Sequence, residues 1–342
     1  MEPVTHALTS LLLARAGQRH LPRYGTAMLI VSGIAPDLDY LSYVAGASAF
    51  LRFHRTVLHS LAGSAVLTVV IAAIFCRLDR HRLHKNSASP SPALRFLPAL
   101  AVCAVGTAAY VLLDLVSGIG VRLLWPFRQG WFAADLLTNL DLWILVILLL
   151  GILLPELFRL VGEEIGERKK TTRGRGAAVI ALLFIVLYVG ARAEFHSRAI
   201  DVLNSRDYHG APPLDADAFP TGYSPFRWRA VIATDNAIDE AEISLAPGAP
   251  FDPDRALMHY KPQDSAALDA AQRTATARRF LAYARFPLAS VEPSETGYRV
   301  SIRDLRFPLD DSSWDNIVAI VELDPDAKVT SQKLLHASSS DR

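Results

Sequence analysis

The run LWILVILLLGILLPELFRL, Leu142–Leu160, decides the class of the fold, because its 19 residues include one acid and one base, both near its end. At 1.5 Å per residue, a helix of that length covers roughly 30 Å, the hydrocarbon thickness of a bilayer. A surface helix of a soluble protein carries a polar stripe, and this run has none. Three further runs share its character: Val57–Cys76, Phe96–Val116 and Ala177–Ala193. Two segments are weaker. Tyr24–Val44 is long enough to span but holds Pro36, Asp37 and Asp39 in its second half. Val4–Ala14 makes only about three turns and suits a re-entrant or interfacial helix. The expectation is a membrane α-helical bundle of five or six membrane segments, followed by a smaller α+β soluble domain.

Composition agrees with that division. The chain has 342 residues, 51% of them hydrophobic and 20% charged, and its mean hydropathy of +0.24 is high for a soluble protein. The apolar excess lies before Ala193, whereas His196 to Arg342 has the composition of an ordinary soluble domain. Residues 1–195 therefore read as the membrane domain and 196–342 as a water-exposed one. A net charge of +1 gives no electrostatic case for nucleic acid. The two cysteines, Cys76 and Cys103, sit in apolar runs and read as packing residues. The opening Met1-Glu-Pro-Val-Thr-His6 lacks the basic region and cleavage site of a signal peptide, so insertion is expected to use internal helices.

Basic residues orient the helices. Arg15, Arg19 and Arg23 form one cluster, Arg77, Arg80, Arg82, Lys85 and Arg95 a second, and Arg168, Lys169, Lys170, Arg173 and Arg175 a third. The alternate loops hold only Arg52, Arg55, Arg122 and Arg128. Thirteen against four is a positive-inside bias, so the clusters are expected in the cytoplasm. The domain from His196 onward then faces outward, on the periplasmic side of a bacterial inner membrane. His81–Pro92 reads as a linker. In the C-terminal part, Trp228–Ala233, Glu240–Leu245, Tyr298–Leu305 and Ile317–Leu323 read as strands and Ser265–Arg285 as a helix.

Acids and imidazoles in apolar runs need a reason, since an acidic residue at bilayer depth costs roughly 2.5–3.5 kcal/mol on insertion scales. His6, Asp37, Asp39, His54, His59 and Asp114 are such residues. The expected topology places them at one external depth, with three imidazoles and two or three carboxylates. Imidazole nitrogen with carboxylate oxygen suits Zn²⁺, Mn²⁺ or Fe²⁺. Each residue also has a plainer reading. Asp37 and Asp39 could cap a broken helix, His54 could lie at headgroup level, and Asp114 could pair with Arg122. Arg122 and Arg128 could hold a substrate phosphate or touch lipid headgroups, while Trp125, Phe127, Trp131 and Phe132 resemble an interfacial aromatic belt. His196, His209 and His259 show no ligand-like spacing.

The ordered set Pro3-Val-Thr-His6, Pro36-Asp-Leu-Asp39, His54-Arg-Thr-Val-Leu-His-Ser60 and Leu113-Asp114-Leu, followed by Leu124-Trp-Pro-Phe127, resembles the YdjM-like family of inner-membrane, metal-dependent hydrolases over roughly residues 1–190. That family is distantly similar to zinc-dependent phospholipase C. The resemblance implies a divalent metal, zinc above all, held by His6, Asp37, His54, His59 and Asp114. It further implies a phosphoester or lipid-like substrate. In the mechanism expected from the residues, Asp39 is the general base and Arg122 the candidate for the phosphate. One departure stands out. Where the family often has a His shortly before the Leu-Asp, this chain has Tyr110-Val111. The competing expectation is a non-enzymatic envelope scaffold or partner-binding membrane protein built on the same polar layer. Membrane lipids are the expected surroundings in either case, and no protein partner is indicated.

Overall fold

The computed structural model describes residues 1–85, 92–164, 174–249, 251–308 and 315–337. Most of the third basic cluster and part of the His81–Pro92 linker lie outside the described residues. The chain divides into two compact units, Met1–Asp39 with Arg55–Ala193, and Tyr40–His54 with Glu194–Arg342.

The first unit is helical. It contains α1 (Pro3–Gly17), α2 (Gly25–Ile34), α4 (Leu61–Lys85), α5 (Phe96–Leu115), α6 (Leu142–Glu164) and most of α7 (Arg175–Asn204), while α3 (Ala47–Phe53) falls in the second unit. Among the described residues four helices are long and apolar enough to cross a membrane: Leu61–Leu83, Phe96–Leu115, Leu142–Val161 and Arg175–Asn204. These are the four strong runs; a fifth or sixth crossing is not supported. The reason in Tyr24–Val44 is Pro36. Proline has no N–H and clashes with the preceding turn, so α2 stops at Ile34 and the chain tightens into a 3₁₀ segment, Ala35–Ala45, carrying Asp37 and Asp39.

Side-chain caps set other boundaries. Ser60 Oγ accepts the Gly63 amide at the start of α4, which puts His59 just before the helix and not one turn inside it, as the run Val57–Cys76 suggested. Asp141 Oδ1 accepts the amides of Trp143 and Ile144, so it caps α6. The helices meet through small residues. A Cβ on Gly33 would strike Ser10 Oγ of α1, and one on Gly106 would strike Ser32 Oγ and lie 2.8 Å from the Leu29 carbonyl of α2. Close approach of this kind is how helices associate in lipid, where apolar burial supplies no drive. It brings α1, α2 and α5 together one turn from His6 and Tyr110.

The second unit holds two antiparallel four-stranded sheets, each in sequential order. The first runs β1 (Asp215–Pro220), β2 (Arg227–Ala233), β3 (Ala237–Ser244) and β4 (Leu257–Tyr260); the second runs β5 (Pro287–Ser294), β6 (Gly297–Asp304), β7 (Ile317–Leu323) and β8 (Val329–His336). Phe219, Val231 and Ile238 of the first sheet pack with Phe286, Leu288 and Leu305. The opposite face of that sheet buries Trp228, Ala230 and Ile243 with Ala199 and Leu203 at the end of α7. The expected single helix over Ser265–Arg285 is instead two, α8 (Ala266–Gln272) and α9 (Ala275–Leu281). Thr274 breaks it, because its Oγ1 accepts the Ala277 amide and so caps a new helix. Tyr40–His54 belongs to this unit through α3, which packs on β8 and α9; Arg279 donates to Ser48 Oγ at 3.2 Å.

Candidate functional site

At the end of α5, Asp114 has a fully buried side chain, and four groups surround it. His59 Nε2 lies 3.1 Å and Arg55 Nη1 3.5 Å from its Oδ2. His6 Nε2 lies 3.3 Å from its Oδ1, which also accepts from the Met1 amino group. One turn earlier on the same helix, Tyr110 donates its hydroxyl to Asp37 Oδ1 at 2.6 Å and stands 2.7 Å from His59 Nε2. A phenol has one proton, so once it goes to Asp37 the oxygen must accept from His59. The ring of His6 stacks on Tyr110 with centroids 3.9 Å apart. Asp39 completes the layer. Its Oδ2 accepts the Arg55 amide at 2.7 Å and lies 3.2 Å from His59 Nδ1.

Local sequence explains the convergence. Pro36 turns α2 into a 3₁₀ path, where successive residues advance about 120°. Asp37 thereby reaches Tyr110 while Asp39 reaches His59 and Arg55. Arg55 has φ +54°, in the left-handed region, and this turns the chain so that His59, just ahead of α4, enters the layer. Pro3 opens α1 at its first turn and sets His6 one helical turn before Ser10, the residue packed on Gly33.

His6, Asp37, Asp39, His59 and Asp114 thus stand in one layer of the first unit. His54 belongs to the second unit, where its Nε2 is 3.5 Å from Asp315 and its ring stacks on Phe50 at 4.2 Å. Arg122 lies over the Trp131 ring at 4.9 Å and donates to Gln129 at 3.4 Å; its own amide donates to the Arg55 carbonyl. Besides the Met1 amine, sequence reasoning left out Arg55 and Tyr110. The only signal for either was an arginine between two histidines and a tyrosine one turn from the aspartate.

The donor types fit a divalent ion of the zinc class, and buried atoms are available for one. Neither His6 Nδ1 nor Asp37 Oδ2 has a hydrogen-bond partner among the described residues. As the side chains stand, no group of three or more described His, Cys, Asp or Glu residues is arranged to hold a metal ion. Asp114 is matched instead by Arg55 and the Met1 amine.

A family model described as YdjM inner membrane protein matches residues 1–199, more than half of the 342-residue chain. The chain belongs to the YdjM inner membrane protein family. The match ends within α7, so the YdjM region takes in three of the apolar helices, most of the fourth and the polar layer, and the two sheets lie beyond it. Membership together with those helices makes the chain a multi-pass inner-membrane protein. Comparison with curated proteins and with solved structures returned no match.

Proposed function

We propose that the YdjM region is a membrane-embedded, metal-dependent hydrolase acting on a phosphoester or lipid-like substrate, with its polar layer toward the external side. The observation that carries this reading is His59, buried between Asp39 and Asp114, beside a His6 ring whose Nε2 faces Asp114 and whose Nδ1 has no hydrogen-bond partner among the described residues. An imidazole flanked by carboxylates inside a bilayer protein is costly and marks function by default. His6, Asp37, His59 and Asp114 are the residues that would hold the cation; zinc suits their donor types. When bound, a divalent cation supplies Lewis-acid activation of water and of a phosphoryl oxygen.

The chain's own groups have distinct tasks. Asp39 orients the His59 ring, as a carboxylate behind a ligating imidazole does. Anchored on the Arg55 amide, it serves that role more directly than the general-base role expected for it. Tyr110 holds Asp37 through its hydroxyl, and its hydrogen bond from His59 Nε2 would have to open for that nitrogen to bind a cation. Arg122, whose amide is tied to Arg55, presents a guanidinium able to bind a phosphate side-on.

A second reading rests on one specific observation: Arg55 and the Met1 amine already neutralise Asp114. In that case the layer is a structural network in a scaffold protein. Metal analysis of the purified full-length protein separates the two. The hydrolase reading expects about one zinc per chain, lost in His59→Ala while the α-helical circular dichroism is retained, and hydrolysis of phospholipid vesicles that stops on chelation. Metal-free wild-type protein whose melting is indifferent to added zinc would leave the scaffold.

A further inference from the structure

Arg55 has no role in the hydrolase reading beyond holding its neighbours, yet it is the most constrained residue of the layer. Its backbone sits at φ +54°, a region that a non-glycine residue occupies only where its surroundings over-determine it. Both of its main-chain polar groups are clasped, the amide by Asp39 Oδ2 at 2.7 Å and the carbonyl by the Arg122 amide at 3.0 Å. The residue is 1% exposed. Its Nη1 donates to Ser117 Oγ at 3.3 Å and to the Gly120 carbonyl at 3.5 Å, and stands 3.5 Å from Asp114 Oδ2. The guanidinium therefore straddles two seats, a carboxylate on one side and the neutral oxygens of the loop after α5 on the other.

A carboxylate as buried as Asp114 must be matched by positive charge, and arginine stays charged under all ordinary conditions. The attachment is of an unusual kind. Arg55 Nη1 stands 3.5 Å from Asp114 Oδ2, an oxygen with no hydrogen-bond partner among the described residues, so the pair lacks the two-pronged hydrogen bonding that makes such pairs firm, while the same Nη1 donates to Ser117 and Gly120. We propose that Arg55 is, beside the Met1 amine on the other oxygen, the resident counter-ion on Asp114 Oδ2, and that a divalent cation must compete with it to use that oxygen. This rests on the metal reading above. The loop oxygens keep the guanidinium solvated by protein when the cation takes Asp114, so the arginine yields its share of the carboxylate without being stranded. Two positive charges near one carboxylate repel, and the arginine thereby sets how tightly the site holds its ion.

Zinc titration of the full-length protein in detergent, followed by equilibrium dialysis, tests the competition. Arg55→Gln removes the charge and is expected to bind Zn²⁺ about tenfold more tightly than wild type, the direction fixed by Coulomb repulsion at short range. Arg55→Lys keeps the charge and returns the affinity toward wild type. Arg55→Gln binding no tighter than wild type overturns the counter-ion role while leaving the metal reading in place. Failure of both wild type and Arg55→Gln to bind zinc overturns both. Should Arg55→Gln alone fold poorly, the double variant Arg55→Gln/Asp114→Asn keeps the idea open to failure. Removing both charges together is expected to give a higher melting temperature than removing either one. Losses that simply add would show that the two residues are not a pair.

Discussion

Single residues in this protein are legible where they are charged and surrounded by apolar sequence, and less so where they are merely aromatic. Tyr110 lies in the Tyr110-Val111 pair where the chain departs from the pattern that the resemblance implies. Its hydroxyl links Asp37 to His59, a task a phenol performs with one proton and one lone pair. In the second unit Asp239 presents the opposite case, a carboxylate that sequence gave no reason to notice. It is 1% exposed, neither oxygen has a hydrogen-bond partner among the described residues, and His209 Nε2 is 3.5 Å away. Burial pushes its carboxyl above the usual aspartate range, with the His209 and His259 imidazoles opposing that shift. A carboxyl whose folded pKa is raised binds its proton more tightly folded than unfolded, so the destabilisation is fully present at neutral pH. It is relieved as pH falls through the raised pKa toward the ordinary aspartate value. Asp239→Asn is expected to raise the unfolding temperature of this unit at pH 7.5 and to flatten the gain on mild acidification. Relief of about 1 kcal/mol corresponds to roughly 2–4 °C in a unit of this size. Scanning calorimetry at pH 7.5 and 5.5 measures both, and an unfolding temperature lowered at pH 7.5 would show the charge to be satisfied.

Elements follow their sequence most faithfully where one face or the whole circumference is apolar. All four long apolar runs are helices able to span, whereas Tyr24–Val44, equally long, is broken by Pro36. Among strands the division is sharper. The four segments recognised by alternation correspond to β2, β3, β6 and β7, the inner strands of their sheets; the four missed, β1, β4, β5 and β8, are all edges. Edge strands carry proline or charge and bury less, as Asp215–Pro220 and Val329–His336 do. Helix packing was equally invisible, since glycine and serine in an apolar run carry no periodic signal. Gly106→Leu is expected to prise α2 from α5, because even its Cβ lies 2.8 Å from the Leu29 carbonyl. Overpacking of this kind costs about 1–3 kcal/mol, and the polar layer one turn away should loosen with it. Unfolding in mixed micelles monitored by circular dichroism gives the loss; an unchanged midpoint would mean that these helices do not pack closely.

For the whole molecule, orientation follows from charge and not from packing. Thirteen basic residues in one set of loops against four in the other place Gly174 in the cytoplasm and the two sheets outside, as a proposal from the positive-inside rule. Fusions of alkaline phosphatase and of a fluorescent protein at Gly174 and at Ser340 are the check. Phosphatase activity is expected at Ser340 alone and fluorescence at Gly174 alone, and active phosphatase at Gly174 would reverse the topology. The second unit also reaches further along the chain than its composition implied. Tyr40–His54 leaves the first unit after Asp39, packs α3 on β8 and α9, and returns at Arg55. The two ends of that excursion, Asp39 and Arg55, are hydrogen-bonded to each other within the polar layer.

What the sequence determined by itself is what hydropathy and charge encode locally: four apolar helices, a water-compatible C-terminal part and the inner strands. It also named His6, Asp37, Asp39, His59 and Asp114, because a charge in an apolar run is conspicuous whatever the fold. Only the tertiary structure decided who meets whom. His54 and His59 are five residues apart in one motif, yet they fall in different units, because a chain turn at Arg55 separates them and no spacing rule describes a residue at positive φ. Tyr110, Arg55 and the pairing of His209 with Asp239 depend on contacts between residues 50 or more apart, or on turns that bring the chain back. Such contacts follow from packing energy summed over the whole fold, which a local pattern does not carry.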